Sequence, residues 1–121
     1  MKAEVRHQRL EDRVFDRLIE KDHEVLVESF VYPHGELDVM AIDGNVITYY
    51  EVKGSDHKAG YGRALKQFSK FMAEIRNPHG YFAQIDLPVD KPLKGRCVYV
   101  TQDSMCRMHV KRVRNFDRRK K

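Results

Sequence analysis

The stretch Gly35 to Ser55, GELDVMAIDGNVITYYEVKGS, constrains this chain more than any other. Two apolar, β-prone runs flank Asp43-Gly44-Asn45, and Asp-Gly between such runs predicts a tight hairpin. The first run carries Asp38, and the second ends in Glu51-Val52-Lys53. With Asp43-Gly44 as a two-residue turn, Ile42 faces Asn45 and Asp38 falls opposite Tyr49. Glu51 and Lys53 then follow on the face of Tyr49, because side chains alternate along a strand. That register gathers two carboxylates and an ammonium within several ångströms. A three-residue loop would instead shift the pairing by one and carry Asp38 to the other face.

Two neighbouring carboxylates repel, and unpaired charge on a buried sheet is costly. A hard divalent cation held by both acids resolves the conflict, and Mg²⁺ typically takes one or two carboxylates together with water and phosphate oxygens. Beside that ion, Lys53 can stabilise charge on a phosphate or position a water. The alternative is a surface hairpin whose charges are solvated.

Asp38 followed by Glu51-Val52-Lys53 at the end of an apolar strand is similar to the PD-(D/E)xK nuclease signature. The preceding segment has the same order: a helix with an internal Glu, a strand, then Gly35-Glu36-Leu37-Asp38. Over residues 3–76 these elements together resemble the archaeal-type Holliday junction resolvases and their phage and viral relatives. The residue before Asp38 is Leu37 rather than Pro, and the segment Tyr32-Pro33-His34-Gly35 is short and not basic. The resemblance implies a restriction-endonuclease-like core. It also implies that Glu11 on the first helix joins Asp38, Glu51 and the Val52 carbonyl around Mg²⁺, with Mn²⁺ able to substitute.

The chain has 121 residues, which suits one domain with one core. With 41% hydrophobic and 34% charged residues it reads as a folded globular chain. No apolar run approaches the length of a membrane span, and the N-terminus lacks a signal-peptide core. Cys97 and Cys106 lack paired CxxC spacing, so reduced thiols in a cytoplasmic protein are expected; the nuclease resemblance implies that it is DNA-associated. The net charge of +5 is uneven: residues 107–121 hold eight Lys or Arg against Asp117 alone. Lys111, Arg112 and Arg114 are therefore candidate phosphate contacts, with a solvated tail as the alternative.

Residues 3–21 predict a helix, with Leu10, Val14 and Leu18 on its apolar stripe and Glu11 at the stripe's border. An intrahelical ion pair with Arg6 or Arg9 is the other reading of Glu11. Glu24 to Tyr32 predicts a strand closed by Pro33 and Gly35. Gly54 to Gly62 reads as a loop, and Arg63 to about Arg76 as a second helix stopped by Pro78 and Gly80. Arg63, Lys66 and Lys70 form a basic ridge on it; Gln67 matches a Gln on the corresponding helix of related exonucleases. Residues 77–94 read as a long loop, with a short apolar piece at Tyr81-Phe82. Arg96 to Thr101 predicts a strand parallel to that of Glu51, since a helix intervenes. Cys106, Met108 and Val110 alternate as a fifth strand would; a short helix capped by Ser104 fits as well.

The architecture expected is an α/β fold of order α-β-β-β-α-β, a mixed sheet flanked by helices. Residues 1–115 form a single nuclease domain and 116–121 a basic tail. The function expected is metal-dependent hydrolysis of DNA phosphodiesters, with Glu11, Asp38, Glu51 and Lys53 as catalytic residues. A homodimer acting on branched DNA, with no membrane and no small-molecule cofactor, fits a junction resolvase. Two alternatives remain: another nuclease on the same core, exonuclease or nicking, and a non-catalytic nucleic-acid-binding module.

Overall fold

The computed structural model describes residues 3–21, 25–54, 58–89, 92–103, 105 and 107–113. Arg114, Cys106, Ser104, Glu24 and the tail 116–121 lie outside them. The elements run α1 (Ala3–Glu20), β1 (Val25–Tyr32), β2 (Gly35–Asp43), β3 (Val46–Val52), α2 (Lys58–Arg76), α3 (Tyr81–Gln84), β4 (Lys94–Gln102) and β5 (Met108–Val113). One mixed sheet of order β1-β2-β3-β4-β5 holds all five strands. Only β3 and β4 pair in parallel; the other neighbours are antiparallel. This is a five-stranded mixed sheet flanked by helices, compatible with a restriction-endonuclease-like core.

The sheet buries both faces. On one side Met40, Ile42, Ile47 and Tyr49 pack with Phe68 and Phe71 of α2 and Phe82 of α3. On the other, Val39, Val52, Val98 and Val100 pack with Leu10, Val14 and Leu18 of α1. The helical stripe at i, i+4, i+8 supplies the second layer, as its periodicity requires. Cys97 is buried, and that burial pushes its thiol up to about 12, as suits an unreactive core residue.

The hairpin forms, with its turn one residue later than Asp43-Gly44. Asp43 pairs with Val46 and Ile42 with Ile47, so Gly44 and Asn45 are the central residues. Gly44 takes φ +59°, at the first central position, where primed hairpin turns call for it. Asn45 is tied to the approach of β4: its Nδ2 donates to the Pro92 carbonyl at 2.9 Å. Its own carbonyl accepts from the Lys94 N–H at 2.8 Å. Asp38 therefore does not face Tyr49, which pairs with Met40. One step beyond the pair Val39–Tyr50, it registers with Glu51. The displacement is two positions in register, so the face is unchanged.

Two further elements depart from the sequence pattern. Helix α2 starts at Lys58 rather than Arg63, through Gly60 and Gly62, each costing about 1 kcal/mol against Ala in a helix. Tyr61 offsets this by packing edge-on against Tyr99 at 5.0 Å, with Lys111 Nζ 4.4 Å from its ring centroid. Within the expected loop, α3 forms a single turn around the buried Phe82. Of the two readings of the segment around Met108 and Val110, the strand is the one formed: β5 runs Met108–Val113 and pairs antiparallel along β4.

Candidate active site

Glu51 is the centre of the site. It lies near the end of β3, two residues beyond Tyr49 and so on the α2 side of the sheet, and is only 6% exposed. Its two oxygens have different partners: the Tyr49 hydroxyl donates to Oε1, and Lys53 Nζ lies 3.1 Å from Oε2. Burial pushes the Glu51 pKa up, and the charge of Asp38 pushes it further. The hydrogen bond from Tyr49 and the charge of Lys53 pull the other way. Asp38 is oriented by the backbone, its Oδ2 accepting from the Val52 N–H at 2.8 Å. The Lys53 N–H donates to the Val100 carbonyl at 2.9 Å, which fixes the strand end to β4.

Asp38 sits where the strands change face. Across from it on β1, Ser29 adopts φ +58°, the one non-glycine positive φ among the described residues. Val27 and Phe30 both pack on the α2 side, three residues apart, where strict alternation would separate them. On β2, Leu37 joins the α2-side cluster and Val39 the α1-side cluster. The reversal passes through Asp38, so its carboxylate reaches the β3 backbone. Backbone strain of this kind is found near working sites, costing of order 1–3 kcal/mol.

The structure thus brings Asp38, Glu51 and Lys53 together. Glu11 is 4% exposed on α1 and stands in hydrogen-bonding range of Glu28 on β1. It approaches from the α1 side of the sheet, while Glu51 stands on the α2 side. Among the described residues no three His, Cys, Asp or Glu side chains are grouped as a metal ion would group them. The acid pair alone suffices for a hard cation that keeps several waters. The donors are carboxylate oxygens, one of them in a buried position where a second negative charge disfavours ionisation. A divalent cation fits that site.

A UPF0102 protein from Petrotoga mobilis is 28% identical to this chain over 72 residues. The match covers 60% of this chain and 63% of the relative, so less than two thirds of the relative's length is spanned. No family model matches the chain, and no solved structure matches it.

The expected DNA contacts fall into two groups. Arg63, Lys66 and Lys70 are exposed on α2, and Gln67 is half-buried among them. Lys111 and Arg112 are exposed on β5 and, being consecutive, emerge on opposite faces of the sheet. Lys111 lies over Tyr61 on the α2 side. Sequence reasoning missed Tyr49 as a partner of Glu51. The usable signal was an aromatic hydroxyl two residues before the acid on the same strand. Among the described residues, no helix is long and apolar enough to cross a membrane.

Proposed function

We propose that this chain is a divalent-cation-dependent nuclease that hydrolyses DNA phosphodiesters at Asp38 and Glu51. The observation that carries this is the Glu51 environment: a nearly buried carboxylate whose ionisation is opposed by burial and by Asp38, with an ammonium 3.1 Å away. An arrangement in which like charges are held together and only partly compensated favours a cation between them. Asp38 and Glu51 would hold Mg²⁺ or Mn²⁺, with the Val52 carbonyl beside them. Bound there, such an ion would supply charge stabilisation at the phosphate and a water of lowered pKa.

The chain's own groups have separate tasks. The Val52 N–H fixes the Asp38 carboxylate. Tyr49 holds one Glu51 oxygen; burial and the nearby Glu51 charge push its phenol far up, so it stays a neutral donor. Lys53 places positive charge where a phosphate would gain negative charge in the transition state. Similarity to a UPF0102 protein and the resemblance of the Asp38/Glu51-x-Lys53 pattern to PD-(D/E)xK nucleases support the same reading.

The finer proposal is a structure-selective endonuclease that resolves four-way DNA junctions as a homodimer. Each chain supplies one acid pair, and two symmetric nicks need two. The test is cleavage of a four-way junction beside matched duplex and single-stranded DNA, with Mg²⁺, Mn²⁺ or EDTA. Junction cleavage that EDTA abolishes is expected. Asp38→Asn and Glu51→Gln should each reduce it by at least about a hundredfold, the scale of removing one transition-state electrostatic group, while keeping the fold. Turnover at the wild-type level in either variant refutes the cation site. Symmetric cleavage by a species that sediments as a monomer refutes the dimer.

A further inference from the structure

A groove lies on the sheet face away from Glu51. Helix α1 covers this face as far as β4, with Val14 and Leu18 against Val98 and Val100, and the groove lies between its last turns and β5. The opening has a volume of about 170 Å³. Its apolar lining is Val14 and Leu18 of α1, Val98 and Val100 of β4 and Met108 of β5, together with Tyr50 of β3. Arg17 of α1, Lys21 just beyond its end and Arg112 of β5 also line it, and no acid lines it among the described residues. Tyr50 and Glu51 are consecutive on β3, so the groove and the acid pair occupy opposite faces.

The size and chemistry narrow the occupant. A cavity of about 150 Å³ admits a benzene-sized ring, so one pyrimidine fits. Each charged residue lining the groove, among those described, is a cation. A second copy presenting the same surface would set like charges against each other, which disfavours a symmetric self-contact. An anion with flat, partly apolar units is complementary. Burial pushes the Tyr50 phenol up and the charge of Asp43 adds to this, while the charges of Arg112 and Arg96 pull it down. Val110, which also lines the groove, is 55% exposed.

We propose that this groove binds single-stranded DNA, with one unpaired base against Tyr50 and its flanking phosphates on Arg17, Lys21 and Arg112. Aromatic stacking combined with a cationic track is the general means by which proteins hold single strands without reading sequence. The edge strand β5 carries Arg112 on this face and Lys111 on the other. A strand leaving the groove past that edge would therefore meet a cation on each face of β5. The binding is independent of cleavage at Glu51 and stands whether or not the acid pair is catalytic.

The experiment follows the anisotropy of a fluorescent oligothymidylate of about eight nucleotides with the full chain in EDTA. Parallel titrations use an abasic oligonucleotide of the same length and poly-L-glutamate as competitor. Arg17→Glu combined with Arg112→Glu is expected to weaken thymidylate binding at least tenfold. It should also flatten the log–log salt dependence by about 0.7 for each phosphate no longer neutralised. Tyr50→Leu keeps the apolar packing and is expected to weaken thymidylate binding roughly tenfold, as removal of one stacked base does, with little effect on the abasic strand. Unchanged affinity in the double charge reversal overturns the proposal. So does equal weakening on both strands with Tyr50→Leu, or displacement by poly-L-glutamate as effective as by thymidylate, which assigns the groove to an acidic protein. Should Tyr50→Leu not fold, photocrosslinking of an iododeoxyuridine strand to the unaltered chain decides. An adduct at Tyr50 or Met108 is expected, and adducts confined to α2 overturn it.

Discussion

Glu51 is held between opposing demands, and its ionisation is therefore linked to the stability of the whole chain. Burial and Asp38 raise its pKa above the ordinary 4.5, so the folded state binds this proton more tightly than the unfolded chain does. Its contribution to stability is fully present below pH 4.5 and is lost as pH rises through the raised folded value. At neutral pH the buried charge is a net cost. Glu51→Gln removes that cost and keeps an acceptor for the Tyr49 hydroxyl. The variant should thus be more stable than the unaltered chain at pH 7, and the difference should vanish toward pH 4. Urea midpoints across that range check it; a constant difference at all pH values would refute the linkage. Mg²⁺ should raise the midpoint of the unaltered chain and not that of Glu51→Gln, since only a ligand that binds the folded state stabilises it.

At the scale of elements, the hairpin and its pairing with β1 decide where the acids point. Ser29 at φ +58° sits opposite Asp38, inside a strand whose sequence, VLVESFVY, reads as ordinary β throughout. In a regular exposed strand position Ser→Val is neutral or favourable, because β-branched residues suit strands. In the left-handed region the same change is unfavourable, by about 1–2 kcal/mol. Ser29→Val is expected to lower the unfolding midpoint accordingly, and to lower cleavage further because Asp38 lies at the same level. A stabilised Ser29→Val would mean that β1 is regular there. The same pair of residues shows what was legible in the sequence. Alternation placed Asp38, Glu51 and Lys53 together, and that inference survived a misplaced turn because a shift of two positions preserves the face. The positive φ at Ser29 was not legible: the face reversal there goes with Phe30 on the α2 side, stacked on Phe82 at 6.0 Å, a partner distant in sequence. The early start of α2 was hidden likewise, because Gly60 and Gly62 read as loop and Tyr99 comes much later. The fifth strand was legible only as one of two options; pairing with β4 settles it.

The net charge of +5 owes its sign to residues 107–121, and among the described residues exposed cations stand on two faces with different chemistry. On the α2 side, Lys53 adjoins Glu51, Lys111 lies over Tyr61, and Arg63, Lys66 and Lys70 are exposed along the helix. Arg63, Lys66 and Lys70 recur at i, i+3 and i+7 and so share one face of α2, the surface proposed for duplex arms. The opposite face has the short groove at Tyr50. Replacing Arg63, Lys66 and Lys70 together by Ala changes only exposed side chains, each worth within about 0.5 kcal/mol of stability, so the chain should fold. Duplex binding should weaken, and its log–log salt slope should flatten by about 0.9 for each phosphate no longer neutralised. Binding of a short oligothymidylate should change much less, because that strand sits across the sheet. Equal weakening on duplex and oligothymidylate would merge the two surfaces into one. An unchanged duplex slope would make the α2 row a solvated helix face and leave the duplex to be held elsewhere, with Lys111 and the residues beyond Val113 the next cations to replace.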